Sequence, residues 1–311
     1  MASSVDSTPY VAPVKKTRGI LMVILAAILA GINGTVARLL IHAGLNYSQL
    51  TLFRSVGAFI GLSIACILTD IRRLKVTSHE FPSLFIFGLV GFFGVPILYL
   101  LAITHLPVGI GVTLEYTAPV FVVLWVRYAR RRRVRRRLWL GLVLCLCGLS
   151  AVANIRSHAR LDYLGICFAL GAAACLAVFY LAGERQSLKR DTMSLTCWSF
   201  GIASVACAVI QPVWKFPFHV LTGNSSNVPN WALCIYVVAL GSILPYLLLA
   251  RSLRYLGATS VGIISLAEPV TALIIAWLAL NERLSVLQIS GVLLILAGVI
   301  LSETARTSDS G

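Results

Sequence analysis

No Asp, Glu, Lys or Arg occurs between Gly19 and Ala37, and none between Leu284 and Ser302. At about 1.5 Å per helical residue, each run is long enough to cross a hydrocarbon layer about 30 Å thick. Inside lipid every backbone N–H and C=O must be satisfied within the protein, so such runs become helices. A β-barrel would show short alternating segments instead. The rest of the chain agrees. Of 311 residues, 59% are hydrophobic and 12% charged, with a mean hydropathy of +0.90. A soluble domain needs more surface charge than that. The reading is an all-α polytopic membrane protein.

Apolar segments predict ten transmembrane helices, at residues 19–41, 49–69, 83–104, 107–127, 138–154, 163–183, 194–212, 231–250, 257–280 and 285–302. The first is not read as a cleaved leader, because it is long and lacks a small-x-small cleavage site. Residues 1–18 and 303–311 are then tails, 19–154 a first five-helix unit and 155–302 a second. Lys and Arg collect on the cytoplasmic side. With the N-terminus inside, the only Lys and Arg residues not on that side are Arg38, Arg156, Arg160, Lys215, Arg283 and Arg54, which lies within a span. Both termini are therefore expected in the cytoplasm, with the chain in the plasma (inner) membrane. The run "RYARRRRVRRR", Arg127 to Arg137, would suggest nucleic acid in a soluble chain. Between two spans it reads as a topology anchor against anionic lipid headgroups, with no nucleic-acid partner.

"LPVGIGVTLEYTAPV" (106–120) aligns without gaps on "LGATSVGIISLAEPV" (256–270). Leu106 meets Leu256, Pro119 meets Pro269 and Val120 meets Val270. Each segment belongs to the fourth span of its half. Because five is odd, the second half enters the membrane from the opposite side. The halves become inverted repeats, an arrangement that places substrate near the midplane where they meet.

Glu115 and Glu268 both fall near mid-membrane, where a charge costs about 2.5–3.5 kcal/mol. Glu268 aligns with Ala118, three residues after Glu115, and residues three apart share a helix face. Both are expected to face a central cavity. The alternative is an acid that fixes helix packing, more so for Glu268, which adjoins Pro269. Pro119 and Pro269 are expected to interrupt their helices. Arg54 could meet a substrate carboxylate, meet a glutamate, or snorkel to the interface. Arg38 and Glu184 read as end-of-helix anchors. Asn33, Tyr99, Thr113, Tyr180, Tyr246 and Ser265 are candidate cavity lining, each with the alternative of an interhelical hydrogen bond. "GAFIG" (57–61) allows close packing in the bundle or a homodimer.

No cofactor or metal is expected. The eight cysteines read as small buried hydrophobes, and no Cys/His group has metal-ligand spacing. The five histidines lie in loops or at span ends without HExxH or GxSxG nearby, which argues against a membrane-embedded enzyme. The absence of GxxxxGK[ST] argues against ATP hydrolysis.

Two five-span halves, "LEYTAPV" in span four and "SLAEPVTALIIAWLALNERLSVLQISGVLLILAGVIL" across the last two spans together resemble the EamA-type permeases of the drug/metabolite transporter superfamily. The resemblance covers residues 19–302. It implies a ten-helix inverted-repeat fold with a central pathway and secondary active transport, often efflux of metabolites or amino acids. One departure is visible: the position matching Glu282 is Arg132, so the first half lacks the family's usual acid at the end of span four. The "LEYTAP" form is similar to the branch that includes threonine and homoserine exporters. The expected function is proton-coupled efflux of a small polar metabolite such as an amino acid, by alternating access, with Glu115 exchanging the proton. A non-transporting scaffold or sensor and a membrane-embedded enzyme are the alternatives.

Overall fold

The computed structural model describes residues 13–131, 134–153, 162–212, 216–225, 228–280 and 285–307. The expectations placed on Arg132, Arg156, Arg160, Lys215 and Asn281-Glu282-Arg283 lie outside them. The helices are α1 (Pro13–His42), α2 (Tyr47–Asp70), α3 (Phe81–Phe87), α4 (Val95–His105), α5 (Val108–Glu115), α6 (Ala118–Tyr128) and α7 (Arg136–Val152). They continue with α8 (Tyr163–Lys189), α9 (Thr192–Ile210), α10 (Asn230–Val238), α11 (Leu244–Ile264), α12 (Glu268–Leu280) and α13 (Val286–Thr307). A short antiparallel ribbon, β1 (Asn224–Ser225) with β2 (Val228–Pro229), lies between α9 and α10.

Among the described residues, eight helical segments are long and apolar enough to cross a membrane. The longest, Asn230–Ile275, is broken at Gly257, where φ is 76° and ψ 167°. Only glycine adopts such a left-handed backbone cheaply. Pro107, aligned with Gly257 in the repeat, is extended and starts α5. The segment starts are set by local chemistry. Asn46 and Gln49 form a capping box on α2, and Asp162 and Asp191 accept first-turn N–H groups of α8 and α9. Each such cap satisfies an otherwise orphan donor.

Interruptions recur in pairs. A π-helical turn, Gly88–Gly94, joins α3 to α4, and a second, Ala239–Ile243, joins α10 to α11. Each is followed by a proline, Pro96 or Pro245, in the first turn of the next helix. The α5–α6 join is a turn at Tyr116–Thr117, and the α11–α12 join is a 3-10 turn at Ser265–Ala267. Proline lacks the N–H that would continue the helical ladder, so each break is written into the sequence.

The Lys16–Glu303 pair, at 4.0 Å, brings the start of α1 beside the end of α13. This terminal face also carries Arg73–Asp191, Arg130–Glu184 and Arg190–Glu80. All four pairs join the first half of the chain to the second. The opposite face carries His105–Asp162 at 2.8 Å. Between them Phe87, Phe92, Phe179, Phe200 and Tyr246 form a packed aromatic cluster. The outer surface exposes large aliphatic side chains such as Leu68, Val205, Val209, Leu293 and Ile300. On a membrane protein this surface meets hydrocarbon.

Candidate functional site

A cavity of about 650 Å³ lies at the centre of the bundle. Both π-helical turns and both broken helices contribute to its wall. Gly91 and Gly241 are small for a steric reason. A methyl on Gly91 would sit 2.9 Å from the Phe179 ring, and one on Gly241 would collide with the Asn33 amide oxygen. Large side chains from facing helices thus reach the wall without closing it.

Glu115 and Glu268 both line this space. Glu115 is the last residue of α5, and Glu268 is the first of α12. Each is half-buried, and its accessible part faces the cavity. The two carboxylates interact electrostatically with each other and with Arg54. Tyr116 lies beside Glu268, and both line the cavity. No hydrogen bond to the Glu115 side chain is present among the described residues.

Arg54 projects from α2 into the same wall. Its Nη2 donates to the Tyr246 hydroxyl at 3.2 Å, and its guanidinium carbon lies 5.9 Å from that ring's centroid. Its Nε is buried without a hydrogen-bond partner. Tyr180 and Ser265 both line the cavity, and Ser265 Oγ donates to the Val261 carbonyl at 2.8 Å.

Asn33, Tyr99, Tyr180, Tyr246, Ser265 and Pro269 all line the cavity. Thr113 and Pro119 do not. Thr113, expected in the wall, is buried and donates to the Gly109 carbonyl one turn back, so its hydroxyl is consumed within α5. Pro119 follows the α5–α6 break and is buried against Gly262. Arg38, expected as a helix-end anchor, instead lines the cavity, because α1 runs past the wall before it ends. Glu184 pairs with Arg130 at 3.0 Å, so the basic run gives up this arginine to the bundle. Sequence reasoning does not find Tyr116, Gln288 or the two glycines. A signal for the glycines does exist: each precedes a proline, by five residues in "GFFGVP" and by four in "GSILP".

The described residues contain no group of three or more His, Cys, Asp and Glu able to hold a metal ion. His105 and Asp162 lie at the mouth of α8. The Leu164 backbone N–H, then the His105 side chain, hold the Asp162 carboxyl below the usual carboxylate range.

The EamA-like transporter family matches the chain twice, over residues 17–153 and 163–304. The threonine/homoserine exporter RhtA of Escherichia coli (strain K12) is 28% identical over 236 residues, 76% of this chain and 74% of that protein. Its counterpart in Salmonella typhimurium (strain SL1344) is 30% identical over 226 residues, 72% of each. The uncharacterized inner membrane transporter YicL of Salmonella typhimurium (strain LT2) is 24% identical over 291 residues, 91% of this chain and 94% of that one. A solved crystal structure at 17% identity superposes with a TM-score of 0.74, covering 94% of this chain and 99% of the other, which shows a shared fold. The two family matches fall on the two halves whose paired breaks enclose the cavity. With its apolar helices, this chain belongs to the EamA-like transporter family and is a multi-pass membrane transporter of the drug/metabolite transporter superfamily.

Proposed function

We propose that the chain is a secondary active transporter exporting a small polar metabolite such as an amino acid across the inner membrane, in exchange for protons. The observation that carries this reading is a central cavity with a carboxylate from each half, Glu115 and Glu268, facing Arg54. A group that can hold a proton or a cation at mid-membrane is what coupled transport requires. The named relatives that export threonine and homoserine support the substrate class.

The pathway is formed by ten helices in two inverted repeats. Splitting Asn230–Ile275 at Gly257 and counting the 17-residue α7 gives ten spans. The Lys and Arg distribution supports cytoplasmic termini, and the basic run then meets anionic headgroups on that side. In this reading the terminal face is closed by four inter-half ion pairs, and alternating access opens it while closing the other.

The test is flux of labelled threonine and homoserine in proteoliposomes with an imposed pH gradient. The reading predicts accumulation that follows the gradient and collapses with a protonophore. Flux indifferent to the gradient in the wild type would remove proton coupling.

A further inference from the structure

Resting on the transport reading above, we infer that Gly34 is a specificity-determining residue. It leaves the cavity open to a substrate side chain larger than threonine's, up to about the size of a tyrosine side chain. A methyl on Gly34 would have no heavy atom within 4 Å, which holds for no other glycine among the described residues. Gly34 nonetheless belongs to the cavity wall. It shares a face of α1 with Ala27 and Ala30, which also line the cavity. The exposed side chains Leu21, Leu25 and Ile28 lie on the other side of the helix. The open space at Gly34 is therefore cavity space.

The repeat gives the size of that space. α1 takes against α11 the place that α8 takes against α4. A methyl on Gly19 would lie 2.8 Å from Leu256 Cγ, and one on Gly165 would lie 2.6 Å from Leu106 Cγ. Leu256 and Leu106 are repeat partners, so Gly19 and Gly165 are partners too. The correspondence recurs at the cavity, where Asn33 abuts Gly241 and Phe179 abuts Gly91. The same register sets Ala30 on Leu176 and Gly34 on Tyr180, and all four line the cavity. Tyr180 is 4% exposed, with its ring 3.5 Å from the place of a methyl on Gly262. One half thus fills this position with a phenol ring, and the other leaves it empty. Protein interiors are close-packed, so an unfilled volume in a binding cavity is room for ligand atoms. The cavity, about 650 Å³, is of the size that encloses drug-sized ligands. Charged groups are common to all amino acids. The apolar α1 face is where their side chains are told apart by size.

The experiment measures how well alanine, leucine and phenylalanine compete with labelled threonine in counterflow. It compares wild type, Gly34→Ala and Gly34→Leu as full-length protein. Leucine and phenylalanine are expected to compete in the wild type. Gly34→Leu is expected to weaken competition by phenylalanine at least about tenfold and by alanine less than about threefold, with Gly34→Ala between. Unchanged competition across the series in Gly34→Leu overturns the assignment, and so does equal loss for every competitor. A wild type that exchanges threonine but is not inhibited by the larger amino acids overturns it too. Alanine is the better helix former, and its methyl enters open space, so Gly34→Ala is expected to unfold at or above the wild-type temperature. A lower midpoint would show that the place is filled, and overturns the proposal.

A second measurement needs no transport. Gly34→Cys in the purified protein is expected to react with a charged, water-soluble methanethiosulfonate reagent, above the background that the native cysteines give in the wild type. Labelling no greater than that background overturns the proposal. If the wild type moves neither threonine nor a larger amino acid while Gly34→Cys is labelled, the transport reading fails and the open place at Gly34 stands.

Discussion

Gly148 and Gly291 meet across the crossing of α7 and α13, so closely that a methyl on Gly148 would lie 2.5 Å from the Gly291 carbonyl oxygen. The reverse contact, from Gly291 to the Gly148 carbonyl, is 2.6 Å. Gly141 and Gly298 repeat it, at 2.6 and 2.5 Å. Gly141 aligns with Gly291 and Gly148 with Gly298 in the same register that matches Pro119 to Pro269. Exchanging the halves therefore turns one contact into the other, which is the behaviour of a two-fold axis between antiparallel helices. Small residues let backbones touch where lipid offers no hydrophobic drive for association.

Alanine at Gly148 or Gly291 should lower stability by about 1–3 kcal/mol, since the backbones must separate. The pair of substitutions should cost less than the sum, because one separation relieves both clashes. Thermal unfolding in detergent reads this. An unchanged midpoint for both single variants would show that the crossing is not tightly held.

Tyr246 accepts the Arg54 hydrogen bond and carries its guanidinium over the ring. Tyr246→Phe keeps the ring and removes the acceptor. Under the proposed export of threonine, the KM should rise roughly three- to tenfold, as expected for about 1 kcal/mol of lost hydrogen bonding. Arg54→Lys should cost more, since an ammonium cannot reproduce the guanidinium fork. Initial rates in proteoliposomes at several threonine concentrations check both.

Arg190 clasps the loop after α2 from the other half. Its guanidinium bonds Glu80 at 3.1 Å and the carbonyls of Arg73 and Lys75 at 3.0 and 2.7 Å, and Nε donates to Ser194. Only 12% of the side chain is exposed. Arg190→Ala removes all four hydrogen bonds and should cost about 2–4 kcal/mol. Glu80 is 54% exposed, so Glu80→Ala should cost under about 1 kcal/mol. Chemical or thermal unfolding of the two variants separates the carbonyl contacts from the ion pair.

Asp162 gives a pH signature on the face opposite the termini. Its folded carboxyl titrates below the ordinary value, so its stabilisation is present above pH about 4 and is lost as pH falls through the folded value. Asp162→Asn should keep the cap on α8, because an amide oxygen also accepts the Leu164 N–H. What it loses is the charge opposite His105. The midpoint difference between wild type and Asp162→Asn should therefore be present at pH 6 and vanish in acid, read by thermal unfolding across that range. A difference that persists unchanged into acid would assign the effect to the cap.

The helical, membrane-embedded class and the placing of Glu115, Glu268, Pro119 and Pro269 within apolar segments were legible in the sequence. Each follows from a local rule: the transfer cost of charge into hydrocarbon, the chain length needed to cross it, and the N–H that proline lacks. The sequence could not say which way each helix turns. Hydrophobic residues surround these helices on all sides, facing lipid on one and neighbours on the other, so no polar stripe marks the inner face. Rotation was decided by close backbone contacts such as Gly148 with Gly291 and Gly31 with Thr271. It placed Arg38 in the cavity wall and left Thr113 bonded within its own helix. The tertiary structure also brought Tyr116 beside Glu268 across the two halves. These are long-range contacts between residues far apart in the chain, and only packing brings them together.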